Sequence, residues 1–599
     1  MRKSLILFVV FSLMTLSSLL GFQEQPQKKE DPMKNFSIVD ETQPVPDKVK
    51  AGFDSITAKD AVAYLRFISD DLLEGRDTAS SGYDIAALYA ASLFEKWGIK
   101  PAGDEVQTRS AFRGMSPPQK PPEKARRSYF QNIAFTETLS TEGLAVVEWK
   151  KGQQKKTKTF KPDMDYSYSA SATQSMTAPV VFVGYGIQET SIKLDEFKNI
   201  DVKGKFVMML SETPGKDNPE SPFNKGELKE KYYPQRRPMM RRRPTSPKFI
   251  LPRELGAEAI LLVENSPEDN PSIARNTLNR QRINDESPIY PGSRRRISLV
   301  ENVGGFMSRD SIPTIRISRE MADYILSLVG KDIETLKGKI EATLKSHSMT
   351  LQGVTFTVKN NAETKLVNSM NVLGYIEGSD PEQKKEAVVI GAHLDHLGKR
   401  GAYIFNGADD DGSGSVGVME IAEAFVKNPV KPKRSIVFAL WTGEEKGLLG
   451  SRYYVAHPFI EKTAVNLNLD MISRIYDKDR LAMVSRRWGA EIGKKVLEQI
   501  DVKKYASLSF DALTPEIGQI IRNNNNHVGL HVNIRASEEA LGGSDHAPFG
   551  RAKIPWAFFI AAITEDYHQP SDTVDKISPD LMEKIIKLTY LTAFDLADR

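Results

Sequence analysis

Short, nearly continuous apolar runs alternate with longer amphipathic stretches over the C-terminal half of the chain. Ala387–His393 (AVVIGAH), Ser435–Trp441 (SIVFALW), Ala464–Met471 (AVNLNLDM) and Ile554–Ala562 (IPWAFFIAA) read as strands buried on both faces. Ser415–Val426, Gly447–His457 and Pro579–Leu596 carry apolar residues at helical spacing. This alternation predicts an α/β domain, with a mostly parallel central sheet and helices on both of its faces. Upstream, Thr57 with Asp60 makes a capping-box-like start, and Ala61, Tyr64, Leu65 and Ile68 continue the helix. A second helix is predicted from about Tyr83 to Trp97, with Gly98 as its stop. Asp104–Ser128, with proline pairs starting at Pro117 and Pro121, reads as loop. From Ala178 the texture becomes short apolar strands between long polar stretches: Ala178–Ile187, Gly204–Leu210, Ala257–Asn265 and Ile312–Ser318.

A chain of 599 residues exceeds one ordinary domain. The expected division is 1–21, 22–54, 55–174, 175–350 and 351–599. In the first segment Arg2 and Lys3 precede an apolar run from Leu5 to Leu16, and the small residues Ser17, Ser18 and Gly21 follow. That order is the pattern of a secretory signal peptide. The run is shorter than the about 20 residues a membrane span requires. The expectation is an exported bacterial protein, periplasmic or secreted, with no stable membrane span after signal cleavage. Residues 22–54, polar and rich in proline and lysine, read as a flexible lead-in.

Composition narrows the chemistry. The chain has no cysteine, which excludes disulfides, a thiolate nucleophile, a thiolate ligand and a lipid anchor on cysteine. Any metal must be held by histidine and carboxylate. A net charge of +4, from 82 basic and 78 acidic residues, gives no bulk attraction to nucleic acid. Two local basic runs remain: Arg236, Arg237, Arg241, Arg242 and Arg243, and then Arg294, Arg295 and Arg296. No aromatic is interleaved within either, so both read as solvated loop rather than nucleic-acid interface.

Six side chains of metal-ligand type stand in suitable local contexts: His393 (GAHLDH), Asp410 (NGADDDGSG), Glu444 and Glu445 (WTGEEKGLLGS), Asp470 (LNLDM) and His568 (EDYHQPSD). Four of them end or follow a predicted strand, where open α/β sheets bind ligands. Imidazole nitrogen and carboxylate oxygen bind zinc at about 2.0–2.2 Å. Asp410, in a turn of small residues, is the best candidate to bridge two metals. Asp395, two residues after His393, is placed to orient its ring. Adjacent residues point in different directions, so Glu445 is expected to bind metal while Glu444 faces the substrate as general base. His396 is near the site and could serve in it or not.

The joint series, HxD, GADDDGSG, TGEEKGLLGS, NLDM and YHQPSDTVD, resembles the co-catalytic zinc aminopeptidases of the bacterial aminopeptidase S type, which are relatives of glutamate carboxypeptidase II and the transferrin receptor. The resemblance covers about Val354–Arg599, and LLEGRDTASSGYDIAALY resembles the family's opening helices. It implies two zinc ions. One would be held by His393, Asp410 and Asp470, the other by Asp410, Glu445 and His568, with Glu444 as base. It further implies a cis Asp410–Asp411 peptide, Tyr567 as a donor to the oxyanion, Asp411 beside the ligands, and His546 (GGSDHAPFG) on the substrate side. The implied substrate is a peptide, cut at its N-terminal bond. Carboxypeptidase or dipeptidase action, glutaminyl cyclisation and a non-catalytic binding ectodomain are the competing readings. The strands around Ala178–Ile187, Gly204–Leu210 and Ala257–Asn265 resemble the protease-associated domain, a small β-rich module inserted in several peptidases.

Overall fold

The computed structural model describes residues 32–106, 126–162, 165–168, 174–233, 246–263, 295–301, 312–485, 490–540 and 543–599. The signal-like segment, the proline-pair loop and the first arginine run lie outside them. Among the described residues no helix is long and apolar enough to cross a membrane.

The four apolar runs of the C-terminal half form strands at Glu386–His393, Ser435–Trp441, Lys462–Leu469 and Trp556–Ile560. They lie parallel, in the spatial order 435–441, 386–393, 462–469, 556–560. Antiparallel partners extend both margins. Val372–Ile376, the end of a long strand, pairs with 435–441, and Tyr505–Asp511 pairs with 556–560. The sheet is therefore mixed, with its parallel strands at the centre. Alternation within one strand explains why two apolar faces were needed. Val388 and Ile390 pack into a core built with helices Ala58–Ile68, Ser81–Trp97, Gly414–Lys427 and Pro579–Ala597. Ala387 and Val389 face the opposite core, with Trp441, Tyr454 and Phe549. Each such buried aliphatic side chain contributes roughly 1.5–3 kcal/mol relative to exposure.

The helix starts follow the sequence pattern. Thr57 Oγ1 accepts from the Asp60 backbone N–H at 3.1 Å, and Ser80 accepts from the N–H of Tyr83. Gly98 closes the second helix in the left-handed region, at φ 78°. The expected flexible lead-in is ordered from residue 32. Phe36–Ile38 adds an antiparallel edge strand to His531–Ser537, and Asp47–Ser55 is a helix. The cause is local: unpaired backbone of the 531–537 strand accepts the added strand, and Gly52 sits where a Cβ would meet the Tyr590 hydroxyl at 2.2 Å.

A second core draws on residues from Ala145 to Val358, wider than the 175–350 span. Gln174–Phe182, Phe206–Leu210, Ala259–Val263 and Thr314–Ile317 lie parallel in it, and Met321, Ile325, Leu336 and Ile340 of two helices cover them. Two long strands, Phe130–Lys151 and Met349–Ile376, pair antiparallel and run from this core into the first sheet. Arg295 departs from the solvated-loop expectation. It lies on the strand Arg295–Leu299, its side chain is 19% exposed, and it pairs with Asp77 at 2.8 Å and with Glu137. Two carboxylates on neighbouring segments, not solvent, balance its charge.

Candidate active site

The chain enters the central strand 386–393, moves to 435–441 on one side and then crosses to 462–469 on the other. This reversal opens a crevice at the C-terminal end of 386–393, the general binding position of open α/β sheets. His393 closes that strand, the turn after Trp441 carries Glu444 and Glu445, and Asp470 follows Leu469. Asp410 arrives from the turn before the 414–427 helix, and His568 from the loop after 556–560. Five segments meet at one point.

Among the described residues, two groups of side chains place one potential ligand atom each within 4.8 Å of the others: His393, Asp410 and Asp470, and His396, Asp410 and Glu445. Asp410 belongs to both and divides its oxygens. Oδ1 lies 3.3 Å from His393 Nε2, while Oδ2 lies 3.1 Å from His568 Nε2. His393 Nε2 is 3.8 Å from Asp470 Oδ1, and His568 Nε2 is 3.3 Å from Glu445 Oε1. His396, whose part the sequence left open, lies with Nδ1 2.9 Å from Glu445 Oε1. His568 is the exposed member, with 27% of its side chain open, so the crevice reaches solvent on that side.

The surrounding bonds orient these donors. His393 Nδ1 lies 2.9 Å from the Asp395 carbonyl oxygen, the bond that turns Nε2 towards the carboxylates. The Asp395 side chain does other work: it accepts from Thr78 Oγ1 at 2.9 Å and from the Glu444 backbone N–H at 3.0 Å. Asp411 accepts from the amides of His393, Gly414 and Met471, stitching the turn to two strand ends. The Asp410–Asp411 peptide is cis, as the resemblance implied. Tyr567 stacks on His568 at 3.8 Å between ring centres. His546 is buried, stacks on Phe558 at 4.5 Å and lines a cleft with Arg535, Glu539 and Trp556; neither donor group includes it.

Three supporting residues were not singled out in the sequence. Arg76 is fully buried and donates to the carbonyls of Leu394, Asn406, Gly407 and Ile68. It fastens the loop after His393 to the turn before Asp410. Asp572 accepts from the backbone N–H groups of Asp409 and Asp410, at 3.0 and 3.1 Å. Asp545 is buried and accepts from Ser451, and burial raises its pKa to about 7. Each lies inside a stretch quoted for the resemblance, Arg76 in LLEGRDTASSGYDIAALY, Asp545 in GGSDHAPFG and Asp572 in YHQPSDTVD, without a local feature that sets it apart.

Electrostatics separates the two glutamates. Burial raises the Glu444 carboxyl well above the usual range, and Glu445 adds to this against the opposing His393. Burial also pushes Glu445 up, but His568 and His396 pull harder and leave it well below. Asp410 is likewise held low: burial and Glu445 raise it, and the surrounding imidazoles more than offset them. His568 rises to about 10, with Glu445 and Asp410 overcoming the desolvation of its ring. Asp410 Oδ2, Glu445 Oε1 and both ring nitrogens of His396 are buried and make no well-directed hydrogen bond, although the two oxygens lie 2.9–3.3 Å from the imidazole nitrogens beside them. Buried polar atoms are rarely left so. A set of nitrogen and oxygen donors, acid-rich and unsatisfied, fits divalent cations, which would take the place of protons on the imidazoles. Asp572→Ala frees the Asp410 amide and turn, so metal affinity should fall about 10–100-fold, the usual cost of losing such support. Competition against a chromophoric chelator reads this directly, and unchanged affinity would show that Asp572 does not position Asp410.

A doubly covered α/β sheet with paired donor groups at its switch point defines the class: an open-sheet protein with a candidate metal centre. Residues 371–593 match the model of peptidase family M28, and this segment carries every residue of both donor groups. Leupeptin-inactivating enzyme 1 of Streptomyces exfoliatus is 31% identical over 232 residues, 37% of this chain and 40% of that protein. Aminopeptidase YwaD of Bacillus subtilis (strain 168) is 26% identical over 321 residues, 51% of this chain and 56% of that one. The chain thus spans about half or less of the length of these curated relatives. The solved aminopeptidase from Aneurinibacillus sp. strain AM-1 shares the fold, with a TM-score of 0.53 and 18% identity over 92% of this chain and 96% of that one.

Proposed function

We propose that the chain is a metal-dependent exopeptidase, an aminopeptidase acting on peptides, with two zinc ions in the crevice. One observation carries this reading: Asp410 presents Oδ1 to one donor group and Oδ2 to the other, while Glu444 stands beside them outside both. His393, Asp410 and Asp470 would hold one ion, and Asp410, Glu445 and His568 the other. When bound, the ions supply the positive charge that acidifies a water and polarises the scissile carbonyl.

The chain's own groups do the rest. Glu444 accepts the water proton on its carboxylate and passes it to the leaving amine. The Asp395 carboxylate fixes the Glu444 amide, so the base approaches from a set direction. Burial and the nearby carboxylates Asp410 and Glu445 raise the Tyr567 phenol, which therefore stays protonated and can donate to the developing oxyanion. The unit between the two long strands is read as a protease-associated-type insert, and the 1–21 segment as an export signal.

Paired assays decide the polarity of cleavage. Aminoacyl p-nitroanilides and free peptides should be hydrolysed by the zinc-loaded chain, and their N-acetylated counterparts should not. Equal cleavage of blocked substrates would replace the aminopeptidase assignment by endo- or carboxypeptidase action. Conversion of N-terminal glutaminyl peptides to intact pyroglutamyl peptides, with release of ammonia, would indicate a cyclase.

A further inference from the structure

We infer that His396 is a fourth donor to the ion held by Asp410, Glu445 and His568; this rests on the two-metal reading above. Three observations support it. His396 is wholly buried, and its ring nitrogens make no well-directed hydrogen bond; the carboxylates of the donor group are the polar atoms beside Nδ1. Nδ1 is 2.9 Å from Glu445 Oε1 and 3.9 Å from Asp410 Oδ2, the same two oxygens that flank His568 Nε2 at 3.3 and 3.1 Å. Ligands about 2.0–2.1 Å from a tetrahedral zinc ion stand about 3.3 Å apart, and these four separations scatter around that value. The two rings approach edge-on, with centres 5.9 Å apart, so they stand beside each other rather than stacked.

The ring is held from outside the donor group. The His396 backbone N–H donates to the Arg76 carbonyl at 3.2 Å, and a Cβ on Gly407 would meet the ring at 2.5 Å. Gly407, at φ 57°, gives the ring its space. The consequence is an asymmetric pair. The position of His396, Asp410, Glu445 and His568 has two nitrogens and two oxygens, a complete tetrahedral set. That of His393, Asp410 and Asp470 has three donors and keeps a coordination site for water or substrate. The first ion should be retained and the second should exchange.

Stepwise removal by a chelator tests this. The parent chain should retain one ion per chain after the other has left. His396→Ala should lower the affinity of the retained ion at least 10-fold, so that the two ions leave together. His396→Asn, which keeps an acceptor atom in the position of Nδ1, should restore part of the loss. Melting of the metal-free variants controls for folding, and one measurement needs no substitution. In the 15N-histidine-labelled parent chain, zinc titration should shift ring nitrogens of His393, His396 and His568. An unshifted His396, or two ions held with parent affinity by His396→Ala, overturns the inference and leaves the two-metal reading standing. A parent chain that binds no ion defeats both.

Discussion

Glu444→Gln lowers kcat about 10²–10⁴-fold, the range that a positioned general base contributes, with two ions still bound. The separation follows from geometry. Glu444 lies in neither donor group, and its backbone N–H is anchored to Asp395 Oδ1 at 3.0 Å, so the amide side chain takes the place of the carboxylate without moving the turn. Glutamine cannot accept the water proton. Steady-state kinetics with metal analysis on the same sample checks both halves. Full activity ends the assignment of Glu444 as base, and loss of metal together with activity would make it a ligand instead.

Asp410→Asn should have the wider effect, because Asp410 is the one residue shared by the two groups. Asparagine offers one neutral oxygen, and its NH2 group presents N–H where the second group needs a lone pair. Stoichiometry should fall below two ions per chain, and activity should fall to background. The metal-dependent part of stability should shrink with it. For the parent this amounts to about 2.7 kcal/mol per site at a free metal concentration one hundred times Kd. Asp470→Asn, whose residue touches only the His393 group, should remove one part of that increment and leave the other. Melting curves with and without zinc, compared across the three proteins, measure this. Equal zinc-induced stabilisation in the parent and Asp410→Asn would show that Asp410 does not link the two groups.

Much of the candidate site could be read from the sequence because its residues sit at strand ends. A strand buried on both faces is a plain apolar run, and the first polar residue after it must lie at the sheet's edge; His393 and Asp470 are of this kind. The local bonding could not be read. Asp395 orients His393 through a main-chain carbonyl, which carries no side-chain signature, and spends its carboxylate on Glu444. His396 lies one residue further along a chain reversal, and only the fold turns its ring back towards Glu445. Arg76 and Asp572 act on backbone groups far away in sequence. The two long strands escaped for a different reason. Residues 363–366 are exposed on both faces, so no alternation marks them, and 28 residues exceed the usual strand length by a wide margin.

Those two strands decide how the halves of the molecule can be separated. The second core is not hung from a linker: it shares a backbone ladder with the first sheet, from Phe130 and Val372 to Trp149 and Val354. A cut at residue 371, where the family match begins, passes through the middle of a strand. The ladder changes register between Asn361 and Ala362, and a bulge of this kind bends a strand more readily than regular pairing does. Third strands flank that bulge on both sides, Arg295–Leu299 beside Phe135–Leu139 and Gln174–Pro179 beside Thr355–Asn360, so separating the halves means breaking a pleated ladder rather than cutting a tether.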